Sequence, residues 1–406
     1  MGALSHIRVL DLTRILAGPW CTQTLADLGA DVIKIERPGQ GDDTRQWGPP
    51  YARDTEGQDT TEAAYYLAIN RNKRSVTLDI STPEGQDLVR RLVAQCDVLV
   101  ENFKVGDMQR YGLDYESLSA EHPGLIYCSI TGFGQTGPYA PRAGYDFIVQ
   151  GMGGFMSVTG ERDGQPGASP QKAGVAIADL FTGAHATIAI LAALNHKERT
   201  GEGQYLDICL LDTQVAMMAN MATNYLATGK PPTRWGNAHP NIVPYQVFKV
   251  ADGWVIVACG NDSQFRKLTE VAGQPELAVD PRFATNPARV RHRDQLVPLL
   301  DVLMLQRSRD EWIRRLEAVG VPCGPINDMA DVFHDPHVLA RDMLQELPHP
   351  TAGHVSVPGS ALKLSVTPVT YRSAPPLLGE HTKEVLQSFA ALSADELDAF
   401  KKRQII

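Results

Sequence analysis

Short apolar runs and helically spaced segments alternate along residues 7–134. IRVLDL (7–12), ADVIKIE (30–36), RSVTLDI (74–80) and DVLVENF (97–103) have the length and apolar density of strands. GLIYCSITGFG (124–134) is a further strand that ends in glycines. CTQTLADLG (21–29) and PEGQDLVRRLVAQC (83–96) repeat apolar residues at helical spacing, the second with Pro83 in its first turn. AGPW (17–20) breaks the first strand from the first helix. Strands alternating with helices predict an α/β fold with a parallel sheet and right-handed crossovers. A longer apolar stretch comes next, GVAIADLFTGAHATIAILAAL (174–194), with a single acidic residue, Asp179, at its head. The sequence YLDICLLDTQVAMMANMATNYLATG (205–229) reads as a strand that turns into a long helix.

The pattern then shifts. GKPPTRWGNAHPNIVP (229–244) is rich in proline and polar residues, and a domain crossing is placed there. The expected organisation is a large domain over 1–228, a small α/β domain with linkers over 229–335, and a C-terminal segment over 336–406. YQVFKV and GWVIVAC supply strands of the small domain, and the tail is loop-rich, with SAPPLLGEHTKEVL feeding a helix.

Composition narrows the function classes. The 406 residues carry a formal net charge of −9, which argues against a nucleic-acid or anionic-membrane surface but leaves room for a local cationic pocket. No uninterrupted apolar run reaches the ~20 residues a bilayer span needs, and MGALSHIRVLDL lacks the build of a signal peptide. Six cysteines are scattered without a CxxC pair, which suits reduced thiols and no metal site. A cytoplasmic or organelle-matrix enzyme is the expectation.

Two motifs invite weighing. GFGQTG (132–137) matches GxGxxG, but PYAP comes after it, where a dinucleotide site needs a helix. Basic residues gather after strand ends: Arg37, Lys104, Arg110 and Arg142. In a parallel sheet such loops converge on one edge, and together these cations suit a phosphorylated ligand. Taken singly, each reads better as a solvated surface charge. Asp179 has a plain reading as a helix cap and a chemical one as a desolvated nucleophile for an acyl group.

Taken together, VLDLTRILAGPWCTQTLADLGADVIKIERPGQGDDTR, LAINRNKRSVTLDI, VLVENFKVGDMQRYGLDY, SITGFGQTGPYAPRAGYDFIVQGMGG and ADLFTGAHATIAILAALNHKERTGEGQYLDICLLD resemble the signature segments of the family III CoA-transferases, the CaiB–BaiF family. VPCGPIND and APPLLGEHT match landmarks nearer the C-terminus, so the resemblance spans nearly the whole chain. It implies a Rossmann-like large domain, a smaller α/β domain and an interlocked, ring-like homodimer. It implies that Asp179 is the nucleophile, forming an aspartyl anhydride and then an aspartyl–CoA thioester. It implies no tightly bound cofactor, with coenzyme A and acyl-CoA as substrates. By motif, the CoA contacts would be Leu16, Ala17, Arg37, Leu78, Ser81, Asn102, Phe103, Lys104, Arg110, Ala143, Gly144, Tyr145 and Asp146.

Leu16 stands where some relatives have a glutamine, and the longer glycine loop of some relatives is missing. Cys259-Gly260-Asn261 is one candidate source of oxyanion donors. The family also contains α-methylacyl-CoA racemases, which use a histidine in an AGHD motif; here the motif is AGYD. The phenol of Tyr145 is too weak an acid for that proton shuttle, which favours transfer over racemisation. A non-catalytic CoA-binding protein is the alternative from another class. RWGNAHPNIVPYQVFKVADG, GNDSQF and TNPARVRHR look like the branch that moves CoA from succinyl-CoA to glutarate or related dicarboxylates. Arg234 and His239 are candidates for the far carboxylate of such an acid.

Overall fold

A computed structural model describes residues 2–406. Its central feature is a six-stranded sheet of β1 (Arg8–Asp11), β2 (Asp31–Glu36), β3 (Lys73–Thr77), β4 (Val98–Glu101), β5 (Ile126–Thr131) and β6 (Tyr205–Cys209), in the order 3-2-1-4-5-6. Every neighbouring pair is parallel. This is the doubly wound strand order, whose direction reverses between β1 and β4. Both faces are covered. The side chains of Val9, Val32, Val98, Ile126 and Cys128 point to one buried layer, and those of Leu10, Ile33, Val76, Leu99 and Tyr127 to the other. Adjacent residues facing two cores explain why the strands read as continuous apolar runs rather than alternating ones.

The first covering helix, α1 (Ala17–Asp27), begins earlier than the sequence pattern indicates. Pro19 does not break it. Proline sits in the first helical turn, where its missing N–H costs no hydrogen bond. Two further helices position the chemistry: α2 (Asp146–Met152) and α3 (Ile177–Thr200). At 24 residues α3 is long and apolar enough to cross a bilayer. A search for uninterrupted apolar runs misses it, because Asp179, Thr182, Gly183 and His185 interrupt the run. In the fold, α3 packs on α1, with Ala186, Ile190, Ala193 and Leu194 buried beside the sheet.

The chain divides into two compact units. One comprises residues 1–155, 173–222 and 336–406; the other comprises 156–172 and 223–335. The second unit holds an antiparallel sheet of Tyr245–Val250, Gly253–Ala258 and Cys323–Gly324, covered by helices around Trp312 and Phe265. The stretch after residue 205 is one strand and two separate helices, Leu210–Met217 and Ala219–Thr228, rather than one long helix. The C-terminal residues are not all loop. A hairpin of Leu344–His349 and Gly353–Pro358 forms, and the closing segment is tied to the sheet edge by bonds such as Asn72 N–H to the Ser373 carbonyl and Asp79 N–H to the Ile405 carbonyl.

Candidate active site

All six strands end on one cavity of about 680 Å³. Its walls are the segments just beyond them: residues 12–17 after β1, Arg37 after β2, 78–81 after β3, 102–105 after β4, Gly132 after β5 and Leu210 after β6. A ligand cleft outside the carboxyl ends of the strands is what a doubly wound sheet produces at its switch point.

Twelve of the residues expected at the site share that wall: Leu16, Ala17, Arg37, Leu78, Ser81, Asn102, Phe103, Lys104, Ala143, Gly144, Tyr145 and Asp179. Arg110 does not. It lies one residue before the wall residue Tyr111, is exposed, and pairs with Asp107 at 3.2 Å and the Tyr111 hydroxyl at 3.0 Å. Asp146 lies behind the wall rather than on it. Arg142 does line the cavity, stacked over Tyr139 at 4.7 Å and Phe133 at 5.2 Å. Arg14, which no sequence motif singles out, also lines it and pairs with Asp43 at 3.0 Å. Arg37 and Lys104 have no ion-pair partner among the described residues, so both charges are available to an anionic ligand. Phosphate recognition requires that.

The glycines of GFGQTG serve packing. A Cβ on Gly132 would stand 2.3 Å from Cα of Gly144, and the reverse is equally true. That contact brings the 140–145 loop against the end of β5. Gly134 and Gly137 have φ of +84° and +90°, turn conformations that side chains resist. No helix comes directly after them to hold a pyrophosphate.

Asp179 is the third residue of α3, and it does not cap its helix. The N-cap position is Ala176, whose side chain makes no bond. The cap comes from another segment. Asp146 Oδ1 accepts from the N–H of Ala178 at 2.8 Å and of Asp179 at 3.4 Å. Its Oδ2 accepts from Gln150 Nε2 at 2.7 Å, and Gln150 Oε1 in turn accepts from Ala173 N–H at 2.8 Å. The Asp179 carboxylate therefore keeps both oxygens without a hydrogen bond among the described residues. Burial, and secondarily the negative charge of Asp146, push its carboxyl up to about 7. Such a group holds its charge poorly solvated, and that makes it reactive toward an acyl carbon.

Opposite helix faces meet closely here. A Cβ on Gly183 would lie 2.5 Å from the Ala17 carbonyl oxygen. Gly183 is four residues after Asp179, on the same face of α3. This approach sets the start of α1 beside the helix that carries the carboxylate. Tyr65 belongs to the same electrostatic neighbourhood. Its hydroxyl is pushed up to about 12, first by burial and then by Asp179 and Asp146. Its ring meets Trp47 edge-on at 5.1 Å. Sequence reasoning missed Tyr65 and Trp47; Tyr65 sits in a four-residue helix, Ala64–Leu67, too short to leave a periodic signal.

Arg234 and His239 belong to the second unit. Arg234 is engaged by Asp163 and by the Glu161 carbonyl at 3.2 Å. His239 Nδ1 accepts from Asn241 N–H at 3.0 Å, and burial together with Arg293 lowers its tendency to protonate. Neither presents a free cation. The Cys259 and Gly260 N–H groups are also committed, to the Pro244 carbonyl at 3.0 Å and Gln264 Oε1 at 2.7 Å, so they are not idle oxyanion donors. No group of three or more potential metal ligands occurs among the described residues.

The model of CoA-transferase family III matches residues 4–382. The succinate–glutarate CoA-transferase of Agrobacterium fabrum is 52% identical, covering 94% of both chains. The human succinyl-CoA:glutarate CoA-transferase is 45% identical over 95% of this chain and 85% of its own. A CaiB/BaiF family protein from Brucella suis superposes with a TM-score of 0.83 at 52% identity, covering 96% of this chain and 99% of that one. The chain belongs to the family III CoA-transferases and is an enzyme of that class.

Proposed function

We propose that this enzyme moves CoA from succinyl-CoA to a dicarboxylic acid, glutarate or a close relative, by covalent catalysis at Asp179. One observation carries the mechanism. On the wall of a cavity with free cations, one carboxylate is desolvated, relieved of capping and unbonded. The acceptor class rests on the glutarate-specific names of the relatives at 45% and 52% identity.

The steps balance without an external energy source. An Asp179 oxygen attacks the donor thioester carbonyl, and the C–S bond breaks to give an acyl–aspartyl anhydride and CoA thiolate. The thiolate attacks the aspartyl carbonyl and releases the donor acid, leaving an aspartyl–CoA thioester. The acceptor carboxylate attacks that carbonyl and expels thiolate again, forming a second anhydride. Thiolate then takes the acceptor acyl group and frees Asp179. Each attack creates an oxyanion, for which unpaired backbone donors are the natural partners. The N–H groups of Leu16 and Ala17 have no hydrogen-bond partner among the described residues, and both residues line the cavity.

Arg37 and Lys104 would hold the CoA phosphates, with Leu78, Ser81, Asn102 and Phe103 around the nucleotide and Ala143, Gly144 and Tyr145 along the pantetheine arm. Asp146 acts as the cap behind Asp179, and Arg110 acts at most through Tyr111. We also infer a cytoplasmic homodimer. Ile188, Phe181 and Leu191 leave an apolar strip of α3 uncovered, which a second copy would bury.

The experiment mixes enzyme with succinyl-CoA and a panel of carboxylic acids. Transfer yields a new acyl-CoA with total thioester conserved, and glutarate ranks among the best acceptors. Exchange of α-deuterium with no swap of acid would instead mark a racemase. Thioester loss without a new acyl-CoA would mark a hydrolase.

A further inference from the structure

Ile15 has φ of +73°. That left-handed conformation is costly for any L residue and most of all for a β-branched one, and strain of this kind concentrates at functional sites. Ile15 lines the cavity between Arg14 and Leu16, so something must hold the backbone there.

The holding groups include two buried side chains of the same wall, Asp42 and Lys34. The Ile15 N–H donates to Asp42 Oδ1 at 3.1 Å. Asp42 is itself fixed, since the same oxygen accepts from Thr44 N–H at 3.0 Å and Thr44 Oγ1 at 2.8 Å, while Oδ2 accepts from Lys34 Nζ at 2.9 Å. The second bond of Lys34 goes to the Thr13 carbonyl at 2.8 Å. One ammonium therefore ties the residue two before Ile15 and the carboxylate that grips the Ile15 amide. Both side chains are fully buried. Burial opposes the charge of Lys34, yet Asp42, Asp11 and Glu36 keep it protonated. Asn102 clamps the other side of the turn, donating to the Arg14 carbonyl at 2.7 Å and accepting its N–H at 3.1 Å.

The two residues after Ile15 give the clamp its importance. Leu16 and Ala17 carry the unpartnered N–H groups, and the Ala17 carbonyl abuts Gly183 on the Asp179 face of α3. The path of the backbone at Ile15 decides how this part of the wall meets that helix.

We propose that Lys34 is a positioning residue for CoA transfer: acting through Asp42 and the Thr13 carbonyl, it holds Ile15 in its left-handed conformation and thereby sets Leu16 and Ala17 against the helix that carries Asp179. The role rests on Asp179 as the nucleophile. It differs from direct catalysis, because both bonds of the ammonium are spent inside the protein.

The test compares Lys34→Met/Asp42→Leu, which also removes the acceptor for the Ile15 N–H, with the same pair carrying Ile15→Gly. The double change leaves neither charge buried alone, and glycine adopts positive φ at no steric cost. The expected result is a folded double variant with KM for succinyl-CoA changed less than about threefold and kcat lowered by about tenfold or more, the penalty of losing a strained conformer. Ile15→Gly then restores much of kcat. A role confined to folding would not give that recovery. An unchanged kcat in the double variant, or no recovery in a folded triple variant, overturns the proposal. Should the double variant not fold, amide exchange on the native enzyme decides: the Ile15 N–H is expected to be strongly protected, and exchange at the rate of a free loop amide overturns the clamp. Hydroxylamine trapping at Asp179 in the native enzyme, run alongside, shows whether the nucleophile assignment stands independently.

Discussion

Asp146 and Asp179 are joined head to tail: Oδ1 of Asp146 accepts the backbone N–H of Asp179 at 3.4 Å and that of Ala178 at 2.8 Å. One carboxylate caps the helix, which releases the other from capping. The cap also lends its negative charge to the raised proton affinity of Asp179, behind the larger effect of burial. In the proposed mechanism Asp179 attacks as a carboxylate, so kcat/KM is expected to rise with pH and to be half-complete at about 7. Asp146→Asn keeps an acceptor oxygen for the cap and removes the charge. Its rate limb is expected to move to lower pH. A pH–rate profile of both enzymes checks this, and an unmoved limb contradicts it.

The same carboxyl penalises folding. Its ordinary value is 3.8 and its folded value about 7, so the folded state binds the proton more tightly than the unfolded state. The penalty therefore grows as pH rises between these values and is complete above the second. Asp179→Asn is expected to raise Tm above pH 7 and to raise it much less near pH 3.8, at the two ends of that window. Thermal unfolding under the two conditions measures it. Stability given up at a reactive group is a common exchange for function.

Gly183→Ala is expected to be damaging although alanine favours helices. The new Cβ would meet the Ala17 carbonyl oxygen at 2.5 Å, a backbone atom that cannot swing away. Overpacking of this kind costs about 1–3 kcal/mol. Tm should fall, and kcat should fall with it because α1 is pushed off α3.

The cations divide by position. Arg37→Ala and Lys104→Ala remove charges that face the cavity without internal partners, and each is expected to raise KM for acyl-CoA by about tenfold, the value of one charge-assisted hydrogen bond. Arg110 is outside the wall and already paired with Asp107. Arg110→Ala should change KM by less than about threefold, since exposed ion pairs contribute little. Initial-rate kinetics on the three variants separate them.

The strands were legible because both of their faces are buried, which leaves runs such as VLVE almost without polar interruption. The sheet order was not legible from those runs; it needs the parallel pairings themselves. Asp179 was conspicuous as the lone charge in the apolar stretch 174–194, while the cap it lacks came from Asp146, thirty-three residues earlier. No spacing rule links the two. The start of α1 was misplaced because Pro19 reads as a breaker from sequence and as a first-turn residue in the fold. Arg234 stood out as a cation, but a partner seventy-one residues away, Asp163, engages it. The clamp on Ile15 was invisible, since nothing in RIL announces a positive φ.

The most direct measurement is chemical trapping during turnover. Enzyme incubated with succinyl-CoA and hydroxylamine, digested and sequenced by mass spectrometry, is expected to carry a hydroxamate on Asp179 alone, and Asp179→Ala is expected to lose transfer. Modification at another carboxylate, or full turnover by Asp179→Ala, would contradict the mechanism at its centre.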